Sequence, residues 1–218
     1  MSLFWWLGLS VPTVMSHLAL RTNKFRFKAA VTGSCMALIL AVAIVTGLPV
    51  LRVLPLLAAF SFSILGDAFL SFREGREGFY LYGILGFFCA HALYLAYALT
   101  KPVNPLSALV LLLLLLLPYT FYYRRRLVPH IDGQAMKIAM YAYILISCVT
   151  FSFVATLDAS LPERILLTAG IGLILFSDSC IGENDFGGNH ALERWILPTY
   201  YLSHILLTAS VLMAAAGI

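Results

Sequence analysis

Eight apolar runs, each close to the length of one membrane crossing and parted only by short breaks, fill this chain from end to end. They fall at 3–20, 29–47, 50–71, 79–99, 105–123, 135–156, 162–182 and 195–217. A spanning helix takes roughly 20 mostly apolar residues. In lipid the backbone must satisfy its own polar groups, so continuous runs of this kind are read as helices. The first run is short and contains Pro12 and His17. The fold class is therefore all-α, a polytopic membrane bundle of about eight transmembrane helices. Charged residues make up only 11% of the chain, against roughly 25% in soluble proteins. Residues 1–218 read as a single integral membrane domain, with no linker or second domain.

The breaks between runs are turn-like, as in Thr100-Lys101-Pro102-Val103-Asn104-Pro105 and the glycine-rich stretch from Gly182 to Asn189. The amino terminus, Met-Ser-Leu-Phe-Trp-Trp, has no basic n-region and no small-residue cleavage site, so no cleaved signal peptide is expected. Cys35, Cys89, Cys148 and Cys180 all lie inside apolar runs and read as free thiols that pack as small apolar groups.

Arg21, Lys24, Arg26, Lys28, Arg73, Arg76, Arg124, Arg125, Arg126, Lys137 and Arg194 fall at one end of the predicted bundle. Arg52, Lys101 and Arg164 fall at the other. The positive-inside rule makes the first end cytoplasmic and both termini non-cytoplasmic. A bacterial inner membrane is the expected location. The net charge of +4 is thus a topological signal and implies no nucleic-acid partner.

Asp67 and Asp178 are the acidic residues set well inside the apolar runs, away from the Glu163 at the start of one, and each follows a small residue, in Ser-Ile-Leu-Gly-Asp-Ala-Phe-Leu and Leu-Ile-Leu-Phe-Ser-Asp-Ser-Cys. An ionisable side chain in the bilayer is costly and marks a functional site by default. A weak internal repeat connects them. Ala58–Asp67 aligns with Ala169–Asp178, and Phe87-Phe88-Cys89-Ala90-His91 echoes Tyr200-Tyr201-Leu202-Ser203-His204. The second unit is offset from the first by four helices, so the repeat is parallel and both aspartates fall at the same end. From the helix rise, both lie about 8–9 Å inside the cytoplasmic boundary, with His91 and His204 nearer the midplane. Phe87, His91 and Tyr94 share one stripe, and Tyr201, His204 and Thr208 another; both are expected to face the interior. Interhelical hydrogen bonds are the plainer reading of each histidine.

Two carboxyls buried together can hold one proton between them, so that one is an acid and the other a base or an electrostatic stabiliser. Such a pair suits a reaction through an oxocarbenium ion. Glu183, Asn184, Asp185, Asn189, His190 and Glu193 offer ligand atoms, but their spacing fits no metal motif. No metal or cofactor is expected. Serine-hydrolase, zincin, P-loop and CxxC motifs are absent from the sequence.

With these residues in place, the chain resembles the YhhN-like family of membrane lysoplasmalogenases. The matching pieces are Leu-Pro-Leu-Leu (54–57), Phe-Ser-Ile-Leu-Gly-Asp-Ala-Phe-Leu (62–70), Ala-His-Ala-Leu-Tyr (90–94), Leu-Phe-Ser-Asp-Ser (175–179) and Thr-Tyr-Tyr-Leu-Ser-His (199–204). The resemblance implies hydrolysis of the vinyl ether of a lysoplasmalogen to a fatty aldehyde and glycerophosphoethanolamine or glycerophosphocholine. It implies Asp67 and Asp178 as the catalytic pair, with His91, Tyr94, Asn184, Tyr200, Tyr201 and His204 as substrate contacts. The partners are the lysophospholipid and the membrane lipids. The chain departs from the family's pattern at His204, where a glutamine is frequent, at Arg52 for a lysine, and in Glu183-Asn184-Asp185-Phe186, where a basic residue precedes Phe. A proton-coupled transporter is the rival reading, since intramembrane carboxyls, histidines and a parallel repeat also serve proton relays. A receptor or scaffold that needs neither carboxyl is the third.

Overall fold

In a computed structural model that describes residues 7–22, 25–72 and 77–217, the chain is a bundle of helices. Among the described residues there are eight: α1 (Ser10–Thr22), α2 (Phe25–Thr46), α3 (Val50–Ser71), α4 (Glu77–Ala98), α5 (Pro105–Tyr122), α6 (Gln134–Ala155), α7 (Leu161–Asp185) and α8 (Glu193–Ala216). α5 is prolonged by a π-helical turn, Tyr123–Leu127, and a 3-10 turn, Val128–His130. The predicted α-helical class is the observed one.

Seven of the described helices are long and apolar enough to cross a membrane. The exception is α1, whose 13 residues rise only about 20 Å. It nevertheless runs antiparallel to α2. A Cβ on Gly8 would meet Leu38 at 2.8 Å, Leu9 packs with Leu38 and Val42, and Met15 and Ala19 pack with Phe27 and Val31. Residues 3–6 of the predicted first span lie outside the described residues, as do Lys24, Arg73 and Arg76 of the basic count.

Helix ends follow local chemistry. Asn104 caps α5 by accepting from the Ser107 amide at 3.0 Å, with Pro105 in the first turn. Ser160 caps α7 through the Glu163 amide at 3.4 Å. The glycine-rich stretch is only partly a turn. α7 runs on to Asp185, so Glu183, Asn184 and Asp185 are helical, and the chain reverses afterwards through Gly188, whose φ of 73° suits glycine.

The largest apolar cluster includes Ile39, Leu56, Phe60, Ile171 and Leu207 and fills the half of the bundle away from the aspartates. That end is closed by backbone pairing between two loops. Asp158 N–H donates to the Pro102 carbonyl at 2.8 Å, Asn104 N–H donates to Thr156 at 3.3 Å, and Val103 bridges Leu157. Lys101 forms an ion pair with buried Glu163 beside it.

Candidate active site

At the residue before each aspartate its helix touches a neighbour directly. A Cβ on Gly86 of α4 would lie 2.9 Å from the Gly66 Cα on α3. At the repeat-related position, Ser177 on α7 donates its hydroxyl to the Ile196 carbonyl on α8 at 2.9 Å. Successive helical residues are about 100° apart, so Asp67 and Asp178 are turned off these contacts. Both remain half-buried.

Each carboxylate is held by a phenol from another part of the chain. Tyr200 of α8 donates to Asp67 Oδ2 at 3.0 Å, and Tyr143 of α6 donates to Asp178 Oδ2. Behind each tyrosine lies a histidine. The Tyr200 and His204 rings have centroids 4.4 Å apart, and those of Tyr143 and His91 are 5.3 Å apart. Asp67 and Asp178 are near enough to interact electrostatically, and Tyr94 lies in the field of both. Lys28 at the start of α2 acts on Asp67 at longer range. Among the described residues, no Lys or Arg nitrogen comes within 4.0 Å of either carboxylate.

His91, Tyr201 and His204 are at most 1% exposed. His204 Nδ1 lies 2.9 Å from the Tyr200 carbonyl. A carbonyl only accepts, so this nitrogen carries the proton and Nε2 keeps its lone pair. His204 Nε2, both His91 ring nitrogens and the Tyr201 hydroxyl have no hydrogen-bond partner among the described residues. Buried polar groups are nearly always satisfied, so these atoms are poised for a ligand or water. The interhelical bond expected of His91 is made by its backbone, which accepts from Thr150 at 3.1 Å. Tyr94 lies deeper, its hydroxyl 3.4 Å from that of Ser63.

Asp178 and Tyr143 line a cavity of about 50 Å³ together with Leu70, Tyr80, Phe87 and Gly182. It has room for a few waters, so a lipid must displace side chains to enter. The nearby rim is polar. Tyr122 donates to Glu183 at 2.5 Å, Arg126 lies 3.4 Å from the same carboxylate, and Tyr80 donates to Asp185 at 3.0 Å. Asn184 belongs to this rim, bonded to Asp185 and near His190. Six residues past Asp178, it sits about 9 Å further along the helix, apart from the carboxyl pair.

The structure thus gathers Asp67, Asp178, His91, Tyr94, Tyr200, Tyr201 and His204 in one compartment, and leaves Asn184 at its rim. It adds Tyr143, which the sequence reading passed over. The spacing Tyr143, Ser147, Thr150 on α6 is a helical polar stripe that could have revealed it. Among the described residues, no group of His, Cys, Asp and Glu is arranged to hold a metal. A family model described as the YhhN family matches residues 27–211. No solved structure matches the chain.

Proposed function

The chain belongs to the YhhN family, the lysoplasmalogenase family, and from this premise we propose that it hydrolyses the vinyl ether bond of lysoplasmalogens. The observation that carries the reading is the pair of half-buried aspartates, each fixed by a tyrosine from a different helix. Vinyl ether hydrolysis begins with protonation of the alkene carbon, which leaves an oxocarbenium ion. Water adds to that cation and loses a proton, and the hemiacetal collapses to a fatty aldehyde and a glycerol hydroxyl. One aspartate supplies the first proton. The other stabilises the cation and takes the proton from water. His91 and His204 offer the buried nitrogens that can orient that water, and Tyr94 and Tyr201 close the compartment around the linkage.

One-sided access supports hydrolysis over transport. The aspartates sit near one end, where Asp178 lines the cavity, while backbone pairing between two loops closes the opposite end. A transporter must open both ends in turn. In our reading the aspartate end faces the cytoplasm of a bacterial inner membrane, both termini lie on the other side, and the lysolipid enters from the cytosolic leaflet.

The direct test follows aldehyde release from lysoplasmalogen by the detergent-purified protein, beside Asp67→Asn and Asp178→Asn. We expect release from the parent and a loss of at least about 100-fold in each folded variant. Full activity in both variants would remove the carboxyl pair from the mechanism. In a background without native cysteines, Asn189→Cys should react with an impermeant maleimide only from the cytosolic side.

A further inference from the structure

At the end of the bundle opposite the aspartates, α6 and α7 part to leave an open groove of about 390 Å³. Phe151, Ile165, Ala169 and Gly172 line it, and two polar side chains, Arg164 and Thr168, stand within it. Arg164 lies in the first turn of α7 and Gly172 eight residues on, so the groove descends about 12 Å from the helix end. The walls are apolar and belong to two membrane-spanning helices. An occupant must therefore carry a hydrocarbon chain at depth and an anion at the end.

The charge is available for that anion. Among the described residues, the lysines and arginines at this end are Arg52, Lys101 and Arg164, and positive charge is disfavoured there. Lys101 is taken up by Glu163. Arg164, next in sequence but pointing elsewhere, gives one hydrogen bond, from Nη1 to the Leu157 carbonyl at 3.3 Å. Among the described residues no carboxylate lies within 4.0 Å of it. Its planar fork therefore keeps donors free for a phosphate. One turn deeper, the Thr168 hydroxyl bonds to no described residue and can donate to an ester carbonyl.

We propose that this groove is a binding site for an intact phospholipid of the leaflet opposite the active site. The phosphate sits on Arg164, the glycerol ester near Thr168, and one acyl chain runs along Phe151 and Gly172. The site is separate from the aspartate compartment and does not depend on the reaction assigned to it.

Native mass spectrometry of the detergent-purified full chain tests this with dioleoylphosphatidylglycerol, dioleoylglycerol and inorganic phosphate as probes. We expect one saturable phosphatidylglycerol per chain, about tenfold weaker uptake of dioleoylglycerol, and no displacement by inorganic phosphate. Arg164→Gln should weaken uptake about tenfold, and Ala169→Phe should block it, while Arg124→Gln at the other end leaves it unchanged. Equal uptake of dioleoylglycerol overturns the proposal, as does unaltered uptake in folded Arg164→Gln. Displacement by inorganic phosphate would mean a free-anion site instead. The probe comparison uses the parent protein, so the proposal stays testable if a variant fails to fold.

Discussion

Tyr200 on α8 donates its phenolic hydrogen to Asp67 on α3, 3.0 Å away and 133 positions earlier in the chain. The carboxylate of one repeat unit is thereby held by the other unit, and the histidine behind that tyrosine, His204, also belongs to the other unit. The second aspartate is held from within its own half, because its donor lies on α6, and a ring of the first unit backs that donor. Asp178 accepts from Tyr143, and the ring packed on Tyr143 is His91 of the first unit. The first unit thus reaches the second aspartate through His91, one ring behind its donor.

Replacing either tyrosine by phenylalanine keeps the ring and deletes the donor. A hydrogen bond to a charged group contributes about 1.5–3 kcal/mol, so Tyr200→Phe and Tyr143→Phe should each lower kcat for aldehyde release by about 10–100-fold. The ring contacts survive, so the melting temperature in detergent should change little. Unchanged kcat in both would mean that the phenols merely fill space.

His204 can be tested through its two faces. Its Nδ1–H serves the Tyr200 carbonyl and its Nε2 offers a lone pair. Glutamine reproduces one donor and one acceptor on a side chain of similar reach, whereas leucine reproduces neither. His204→Gln should keep turnover within about tenfold of the parent, and His204→Leu should lose about 100-fold, the usual scale for a lost polar catalytic contact. Equal loss in both would point to a role that needs the imidazole itself.

The bundle was readable in the sequence because apolar length alone defines a spanning helix. The predicted span 50–71 matches α3, and the spans other than the first shift by at most four residues at each end. The paired aspartates stood out for the same reason, as carboxyls among apolar residues. Tyr143 did not, since a tyrosine in an apolar helix looks like packing until its neighbour across the bundle is known. The end of α7 was hidden by its composition. Gly-Glu-Asn-Asp reads as a turn, yet Tyr122, Arg126 and Tyr80 hold these side chains and extend the helix. Local propensity yields to such contacts.

Gly86 controls how closely α3 and α4 approach. A methyl group there would stand 2.9 Å from Gly66 Cα and 3.0 Å from Gly66 N. Backbone atoms cannot rotate away, so the helices must separate. Gly86→Ala should therefore cost about 1–3 kcal/mol of stability, and lower activity too, because Asp67 follows Gly66. Gly33 offers a control, since a Cβ there meets nothing within 4 Å, and Gly33→Ala should melt no lower than the parent. Both comparisons can be made by thermal unfolding in detergent.

The ion pair at the opposite end predicts a different pattern. Glu163 is 4% exposed and Lys101 is its cation. Removing one member leaves a buried charge unpaired, which costs about 3–5 kcal/mol in well-enclosed pairs. Lys101 is partly exposed, so Lys101→Met should fall at or below the lower end of that range. Adding Glu163→Leu to the same chain removes the stranded carboxylate and should restore most of the lost stability. Turnover per folded molecule should stay at the parent level in both, because the aspartates lie at the other end of the bundle. Additive destabilisation in the double variant would mean that the two side chains stabilise the loops separately and not as a pair.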